Sequence, residues 1–197
     1  MISGPTEAMP AGAAGHPRAV EDLIQAELNG VALSFRFFWG HRPPRGGGIG
    51  ASCLSQWFAS AFAVGGQWYA TAEHFMMAGK ARLFGDDETA EAICATPDPG
   101  QVKALGRRVR DFDETTWQRH RYEIVVAGNL AKFTQHDGLR GFLLATGDEV
   151  LVEASPLDAV WGIGLAATDP RAEHPIDWPG LNLLGFALMD VRAALRS

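Results

Sequence analysis

The pattern of apolar and polar positions is clearest between Tyr69 and Phe84, where the chain is YATAEHFMMAGKARLF. Apolar residues recur there three and four positions apart, which is the spacing of one buried helix face. Thr71 stands where an N-cap is needed, because its hydroxyl can accept a hydrogen bond from an amide of the first turn. The pattern predicts a helix whose buried stripe is formed by Ala72, Phe75, Met76, Gly79 and Leu83.

Two charged side chains accompany this predicted helix. Glu73 falls in the first turn, where the free amides and the helix dipole favour a carboxylate. Lys80 follows seven residues later and returns to nearly the same angular position, roughly 10 Å along the axis. The two side chains would therefore frame one groove. An amphipathic helix with solvated charges has the same spacing, so both interpretations stay open at this point.

The other periodic stretches predict more helices and only a few short strands. Helical spacing and capping signals predict helices at Val20–Asn29, at Ala90–Ala95, from Pro99 with Asp98 as its cap, from Asp113 to Phe133, at Gly138–Ala145 and at Leu183–Leu195. Alternation predicts strands at Val31–Trp39 and Glu149–Glu153, and Gly65-Gly66 predicts a hairpin turn. Gly128, inside a predicted helix, would allow another helix to cross closely. The expected fold class is α+β and predominantly helical.

Three stretches are expected to be irregular. His41–Ser52 is rich in Pro and Gly and predicts a loop at the rim of a ligand site, although its glycines match no phosphate-binding fingerprint. Glu153–Leu165, EASPLDAVWGIGL, combines two acids and a Trp with turn-forming Pro and Gly, and its irregular backbone can turn these side chains inward. Thr168–Gly180 is expected to be a polar surface connection.

Length, charge and cysteine content narrow the classes of protein. The 197 residues suffice for one well-buried domain, expected at residues 20–197 after a flexible tail at 1–19. A net charge of −6 argues against a protein that coats nucleic acid, but it is compatible with small anionic ligands. The two cysteines cannot form a disulfide framework, and no signal peptide or long apolar run is present. We expect a cytoplasmic protein without a membrane span.

The residues able to do chemistry are mainly carboxylates. Ser52 and Ser155 lack the G-x-S-x-G context of an activated serine, and Cys53 or Cys94 beside a stray His is a weak candidate. The histidines show no metal-ligand spacing, so neither a metal nor another cofactor is expected. Glycosidic cleavage needs two acids around a cleft. The candidate acids are Glu73, Glu153 and Asp158.

Basic and aromatic residues supply candidates for substrate binding. Lys103, Arg107, Arg108 and Arg110 form a compact basic patch, which is either a solvated helix face or a phosphate site. Arg107 and Arg108 are the predicted phosphate clamp. The large aromatic residues Trp117 and Trp161 either stack on a base or fill the core, and the pattern does not decide between these roles.

Four ordered segments carry a resemblance to a known family. They are YATAEHFMMAGKARLF, GRRVRDFDETTWQRHRYEIVVAGNLAKF, LLATGDEVLVEASPLDAVWGIGL and NLLGFALMDVR, within roughly Phe35 to Arg192. Together they resemble the YbiA/NADAR family, which comprises N-glycosidases of riboflavin-biosynthesis intermediates and of ADP-ribosylated guanine. The resemblance implies a compact, largely helical α+β domain. It also implies a cleft that binds a ribose phosphate and cleaves its bond to an amine or ring nitrogen.

Transferred by motif, the resemblance implies an active-site set of Glu73, Trp117, Glu153, Asp158 and Trp161, with Lys80 as a further family position. The Lys80 amine could attack a ring-opened sugar aldehyde to give a Schiff base, and direct hydrolysis is the other route. Both routes stay open here. The family commonly has L-S-N before an aromatic residue, whereas this chain has Gln56, whose longer amide would shift a hydrogen bond to the substrate.

Three functions agree with these residues. The leading hypothesis is hydrolysis of an N-ribosyl bond in an early riboflavin-biosynthesis intermediate, with a small-molecule ribosylamine as substrate and no membrane partner. The second is removal of ADP-ribose from guanine, in which case nucleic acid becomes a partner. The third is an ADP-ribose-binding module without catalysis. The oligomeric state cannot be derived from the sequence.

Overall fold

The computed structural model describes residues 16–197 and is mainly helical, as the sequence predicts. The helices are α1 (Val20–Leu28), α2 (Ala72–Leu83), α3 (Asp87–Ala95), α4 (Pro99–Gly106), α5 (Glu114–Gln135), α6 (Asp137–Ala145) and α7 (Leu183–Arg196). The strands are β1 (Phe35–Phe38), β2 (Phe62–Val64), β3 (Gln67–Tyr69) and β4 (Val150–Glu153). The α+β class with few short strands is confirmed.

The strands form two small sheets. β1 and β4 are parallel, and Phe38 lies opposite Glu153 at the end of the pair. β2 and β3 form the predicted hairpin, in which Gly65 and Gly66 both have positive φ, as a tight two-residue turn requires. Because parallel strands end at the same edge, the residues after β1 and β4 emerge side by side.

The predicted helix at the centre of the molecule is α2, which packs against α3, α4 and α5. Thr71 caps it and accepts a hydrogen bond from the His74 amide at 3.4 Å. The close crossing predicted at Gly128 is confirmed, because a Cβ atom at Gly128 would lie 2.6 Å from the Phe75 ring. Helix α2 therefore approaches α5 more closely than an alanine at position 128 would allow.

One predicted strand and one predicted surface connection were wrong in part. The strand predicted at Val31–Trp39 is limited to Phe35–Phe38, because β4, the strand that pairs with it within residues 16–197, is four residues long. Thr168–Gly180 is not merely a surface connection. Two short 3-10 helices form there, and the buried Trp178 indole donates a hydrogen bond to the Ala172 carbonyl at 2.9 Å.

The tail predicted at residues 1–19 lies mostly outside the described residues, which begin at His16. The His16 ring is 2.7 Å from the Asp190 carboxylate on α7, and the Arg18 guanidinium also donates to Asp190 at 3.1 Å. These contacts attach residues 16–18 to the domain. No helix between residues 16 and 197 is long and apolar enough to cross a membrane.

Candidate active site

A cavity of about 490 Å³ brings most of the predicted site residues together. Its wall includes eight of the nine: Gln56, Glu73, Lys80, Arg107, Trp117, Glu153, Asp158 and Trp161. Arg108, the ninth, is exposed and does not line this cavity. A cavity of this volume is in the range that small-molecule sites occupy. The residues come from α2, from α5, from the C-cap of α4, from the end of β4 and the irregular segment after it, and, for Gln56, from the segment before β2.

Glu73 lies in the first turn of α2, and its side chain is only 2% exposed. Its backbone amide donates to the Gln56 carbonyl at 2.9 Å, which fixes the start of the helix against the segment before β2. Its Oε1 atom is buried and has no hydrogen-bond partner within residues 16–197. A solvated helix charge is therefore the wrong interpretation of Glu73, since the side chain is enclosed in the cavity wall.

Glu153 is the last residue of β4, and its backbone is held from three sides. Its N–H donates to the Asn182 side chain at 3.0 Å, and its carbonyl accepts from the amides of Ser155 and Ile163, each at 2.9 Å. The buried Asn182 has a left-handed backbone, with φ of 51°, which Asn tolerates better than most residues. Sequence reasoning missed this positioning residue, which lies 29 positions from Glu153.

The two glutamic acids are unusual because their carboxyl groups favour the protonated form. Burial raises the pKa of Glu73 to about 7, against the opposing positive charge of Lys103. Burial raises the pKa of Glu153 to about 8, and the negative charges of Asp158 and Glu73 contribute to this increase. The Glu153 Oε2 atom, like Glu73 Oε1, is buried and has no partner in the described chain. Such carboxyls can exchange protons near neutral pH.

Asp158 has a structural role within the same wall. Its Oδ1 atom accepts hydrogen bonds from the amides of Val160 at 2.9 Å and Trp161 at 2.8 Å. This is backbone capping, which an aspartate in an irregular turn commonly provides. Because Asp158 also lines the cavity, its charge acts on Glu73 and Glu153 and raises the pKa of both.

Lys80 contacts the faces of two aromatic rings. Its ammonium nitrogen lies 4.0 Å from the centroid of the Phe112 ring and 5.5 Å from that of the Trp117 ring. Cation–π attraction of this kind fixes the position of a flexible side chain. Burial lowers the pKa of Lys80, and the nearby Glu114 carboxylate opposes that shift. The amine is therefore held in the cavity wall beside Trp117.

Gln56 lies in the wall, but its amide is already engaged. Its Oε1 atom accepts from the Asn129 side chain at 2.8 Å, and the side chain is buried. Asn129 in turn donates to the Val125 carbonyl of its own helix at 2.9 Å. Gln56 therefore links α5 to α2, since its backbone carbonyl also receives the Glu73 amide. This packing role accompanies the substrate contact that the sequence predicts.

The side chains of the basic patch do not all line the same site. Lys103 and Arg107 line the cavity, whereas Arg110 pairs with the buried carboxylate of Asp86 at 2.7 Å. Arg121 lines the cavity from α5. The sequence placed Lys103 in the basic patch but not in the predicted phosphate clamp, and it gave no site role to Arg121. The spacing could have indicated both, because Lys103 precedes Arg107 by four residues and Arg121 follows Trp117 by four, which places each pair on one helix face.

This division predicts different effects for two neighbouring arginines. Arg107→Ala should raise the KM for a phosphate-bearing substrate roughly 10- to 100-fold, since one hydrogen-bonded charge contact contributes about 1.5–3 kcal/mol. Arg108→Ala removes an exposed guanidinium outside the cavity and should leave KM within twofold. Steady-state kinetics on both purified variants measures the difference. Equal effects of the two substitutions would contradict a phosphate site at Arg107.

Thiol and metal chemistry have little support in the site. Cys53 is buried, and burial raises the pKa of its thiol to about 11, so the thiol stays protonated at neutral pH. No group of three His, Cys, Asp or Glu side chains arranged to hold a metal ion occurs in the part of the chain that the structure describes. The groups that line the cavity and have shifted pKa values are the carboxyls of Glu73 and Glu153 and the Lys80 amine.

Several known proteins are similar to this chain in sequence and in fold. The NADAR domain family model matches residues 37–196. An N-glycosidase of Acanthamoeba polyphaga mimivirus is 44% identical over 148 residues, which cover 73% of this chain and 87% of that protein. N-glycosidase YbiA of Escherichia coli is 32% identical over 132 residues, covering 67% and 74% of the two chains. The NMR structure of E. coli YbiA superposes with a TM-score of 0.66 at 27% identity, covering 83% of this chain and 85% of that one.

The α+β fold, the buried carboxyls and these relatives define the class of protein as a hydrolase that acts on N-glycosyl bonds. The match extends over most of the chain and is not confined to one motif. The chain belongs to the NADAR domain family.

Proposed function

We propose that this enzyme hydrolyses the C–N bond between a ribose phosphate and an amine, in an early intermediate of riboflavin biosynthesis. The observation that carries the proposal is the pair of buried, unpartnered carboxyl oxygens of Glu73 and Glu153 in one cavity that also contains cations. Cleavage of a glycosidic bond needs a proton donor and a base on the two sides of an oxocarbenium-like centre. The cavity volume of about 490 Å³ suits a single sugar phosphate.

The raised pKa values indicate how the two glutamic acids divide the work. Glu153, with the pKa of about 8, is protonated at neutral pH and supplies the proton to the departing nitrogen. Glu73, with the pKa of about 7, lies at the positive end of the α2 dipole and ionises first. Its carboxylate then orients the attacking water or the ribose hydroxyls. Lys103, Arg107 and Arg121 are the cations available for the phosphate.

Lys80 allows a second route to the same products. Its lowered pKa increases the fraction of free amine, which could add to C1 of the ring-opened sugar and form a Schiff base with loss of the amine product. Water would then hydrolyse the Schiff base and restore Lys80. Glycosylamines open readily because the nitrogen lone pair assists. We favour direct hydrolysis, since two carboxyls with raised pKa values already provide an acid and a base.

Removal of ADP-ribose from guanine is the second candidate. Besides Lys80, three cationic side chains line the cavity, and two phosphates would occupy them more completely than one phosphate would. A non-catalytic ADP-ribose module is less consistent with the site, because burying two carboxyl oxygens without hydrogen-bond partners costs stability without adding affinity for an anion. We place the enzyme in the cytoplasm, since Cys53 and Cys94 are both free thiols.

One set of assays tests the proposed function. The purified chain is given a pyrimidine ribosylamine 5′-phosphate of the riboflavin pathway and, separately, an oligonucleotide with ADP-ribosylated guanine. Release of ribose 5-phosphate or ADP-ribose is followed by chromatography, and the spontaneous rate is subtracted. We expect kcat/KM at least 100-fold higher for the ribosylamine. A reversed preference would favour the second candidate, and turnover of neither would contradict both. Borohydride that traps labelled sugar on Lys80 would establish the Schiff-base route.

The pair of pKa values predicts a narrow pH optimum. Activity needs Glu73 ionised and Glu153 protonated, so kcat/KM should rise as pH increases through about 7 and fall as pH increases through about 8. The two values belong to an interacting pair, and the observed limbs will be those of the pair. Rates measured from pH 5.5 to 10 should form a bell with its maximum between 7 and 8. A flat profile from pH 6 to 9 would exclude these roles.

A further inference from the structure

A second cavity of about 390 Å³ adjoins the active-site cavity. The two share part of their walls, formed by Ser55, Trp57, Lys103, Glu153 and Asp158. The remaining wall of the second cavity is formed by Trp39, Gly40, His41, Ser155 and Leu157. Because Glu153 and Asp158 belong to both cavities, a molecule that extends through both would place one of its bonds at these carboxyls.

The sheet explains why Trp39 lies beside Glu153. In the parallel pair of β1 and β4, Phe38 is opposite Glu153, and the Ala154 amide donates to the Phe38 carbonyl at 2.9 Å. Trp39 is the next residue and emerges at the same strand ends as Glu153. Gly40 has φ of 78° and turns the chain away at once. The position of Trp39 is therefore fixed by the backbone that also fixes the proposed acid.

The second cavity offers flat aromatic surfaces instead of cations. The Trp39 side chain is 60% exposed, so it contributes its area to the cavity and not to the core. The rings of His41 and Trp57 lie 5.7 Å apart between centroids, at an interplanar angle of 47°. Lys103, in the shared wall, is the one cationic side chain that lines this cavity among residues 16–197. A flat, polar heteroaromatic ring matches such a surface, because stacking on aromatic side chains is tolerant of the ring's identity.

We propose that this second cavity is the leaving-group subsite and binds a flat, nitrogen-bearing heteroaromatic ring against Trp39. The sugar and its phosphate occupy the larger cavity, and the bond to be cleaved lies at Glu153 between them. The orientation of the substrate, with its sugar phosphate in the larger cavity and its ring in the second, rests on the proposed function. It makes Trp39 a specificity-determining residue that recognises the amine component, which the sequence patterns did not indicate.

Binding measurements test this subsite without catalysis. Titration calorimetry determines the Kd of 2,4-diamino-6-hydroxypyrimidine, of 9-methylguanine and of ribose 5-phosphate. Trp39→Ala should raise the Kd of both heterocycles roughly 5- to 100-fold, the range of one lost stacking contact. It should change the Kd of ribose 5-phosphate less than twofold. Trp39→Phe should recover most of the affinity. The pyrimidine and the purine together show which ring class the subsite prefers.

Trp68→Ala is the matched control, because Trp68 is 63% exposed on β3 and does not line either cavity. It should alter none of the three affinities. The proposal is overturned if Trp39→Ala leaves heterocycle binding unchanged, if it weakens all three ligands equally, or if the wild-type chain binds neither heterocycle at millimolar concentration. A chain that binds a heterocycle through Trp39 but cleaves no ribosylamine would contradict the proposed function and leave the subsite intact.

Discussion

Glu153→Gln is expected to lower kcat by roughly 10²- to 10⁴-fold, the usual contribution of a general acid, while KM changes less than threefold. The glutamine side chain has nearly the same shape and can still accept a hydrogen bond, but it cannot supply a proton to the departing nitrogen. Substrates whose nitrogen leaves easily should lose less activity than those whose nitrogen leaves poorly. Steady-state and single-turnover rates at pH 7.5 measure the loss.

The same substitution should not unfold the enzyme. The folded-state pKa of Glu153 is raised from 4.5 to about 8. The folded wild-type chain therefore binds more protons than the unfolded wild-type chain between these two pH values. Its stability therefore falls as pH rises from about 4.5 to 8, and the glutamine variant lacks this loss. We expect its Tm at pH 8.5 to equal or exceed that of the wild type.

Glu91→Gln provides the matched control for catalysis. Glu91 is an exposed acid on α3, and it does not line the active-site cavity. The kcat and KM of the Glu91→Gln variant should match those of the wild type. If Glu153→Gln kept kcat within threefold of the wild type, while remaining folded, Glu153 would not be the acid. A non-catalytic binding module would show no turnover in any of the three proteins.

The largest effect on stability is expected at Lys132. Its side chain is fully buried, and the ammonium nitrogen donates to the carbonyls of Cys53 at 2.6 Å and Ser55 at 3.0 Å. Lys132→Met fills a similar volume but leaves both carbonyls without this donor. The loss should be about 2–4 kcal/mol, because each unsatisfied buried polar group costs about 1–3 kcal/mol. For a chain of this length that corresponds to a decrease in Tm of roughly 5–15 °C.

The pH dependence of this loss has a defined sign. Burial lowers the pKa of Lys132 from 10.5 to about 7, so the folded chain binds fewer protons than the unfolded chain between these values. Lys132 therefore makes the wild-type protein more stable as pH rises through that interval, and the methionine variant lacks the increase. The difference in Tm should be larger at pH 9.5 than at pH 6.5.

Lys103→Met is the control for the buried lysine. Lys103 is partly exposed in the cavity wall, so its replacement should change activity while Tm stays within about 2 °C. The assignment of a structural role to Lys132 would be wrong if the two variants had the same Tm. Lys132 also holds Ser55, the neighbour of Gln56, so a folded Lys132→Met chain should show a raised KM.

The helices were the most predictable part of the fold. Thr71, Asp98 and Asp113 each cap the helix that their position indicates, because a capping hydrogen bond depends only on residues two or three positions away. Trp178 shows the opposite case. A polar segment with several prolines gave no sign that one indole would be buried by residues from elsewhere in the chain.

The residues alone indicated candidates for the site but left their roles open. Periodicity left Glu73 as either a surface charge or a site residue, and the resemblance placed Glu73, Glu153 and Trp117 in one active-site set. Arg107 and Arg108 could not be separated. Adjacent residues near a helix end point in different directions, and the docking of the helix decides which of them faces the site. Arg121 became a candidate site residue only when α4 and α5 met at one cavity, which also includes Lys103 of the basic patch.

Asn182 gives the β1–β4 sheet an unusual boundary. Its amide accepts from the Glu153 N–H and donates to the Leu151 carbonyl at 2.9 Å, which is the pair of bonds that a third strand would make. Aspartate would place an acceptor against the Leu151 carbonyl, and glycine would keep the backbone but lose both bonds. One carboxamide thus closes the edge of β4 where a third strand could otherwise pair, and the start of α7 can pack there directly, since a Cβ atom at Gly185 would clash with the Leu151 carbonyl oxygen.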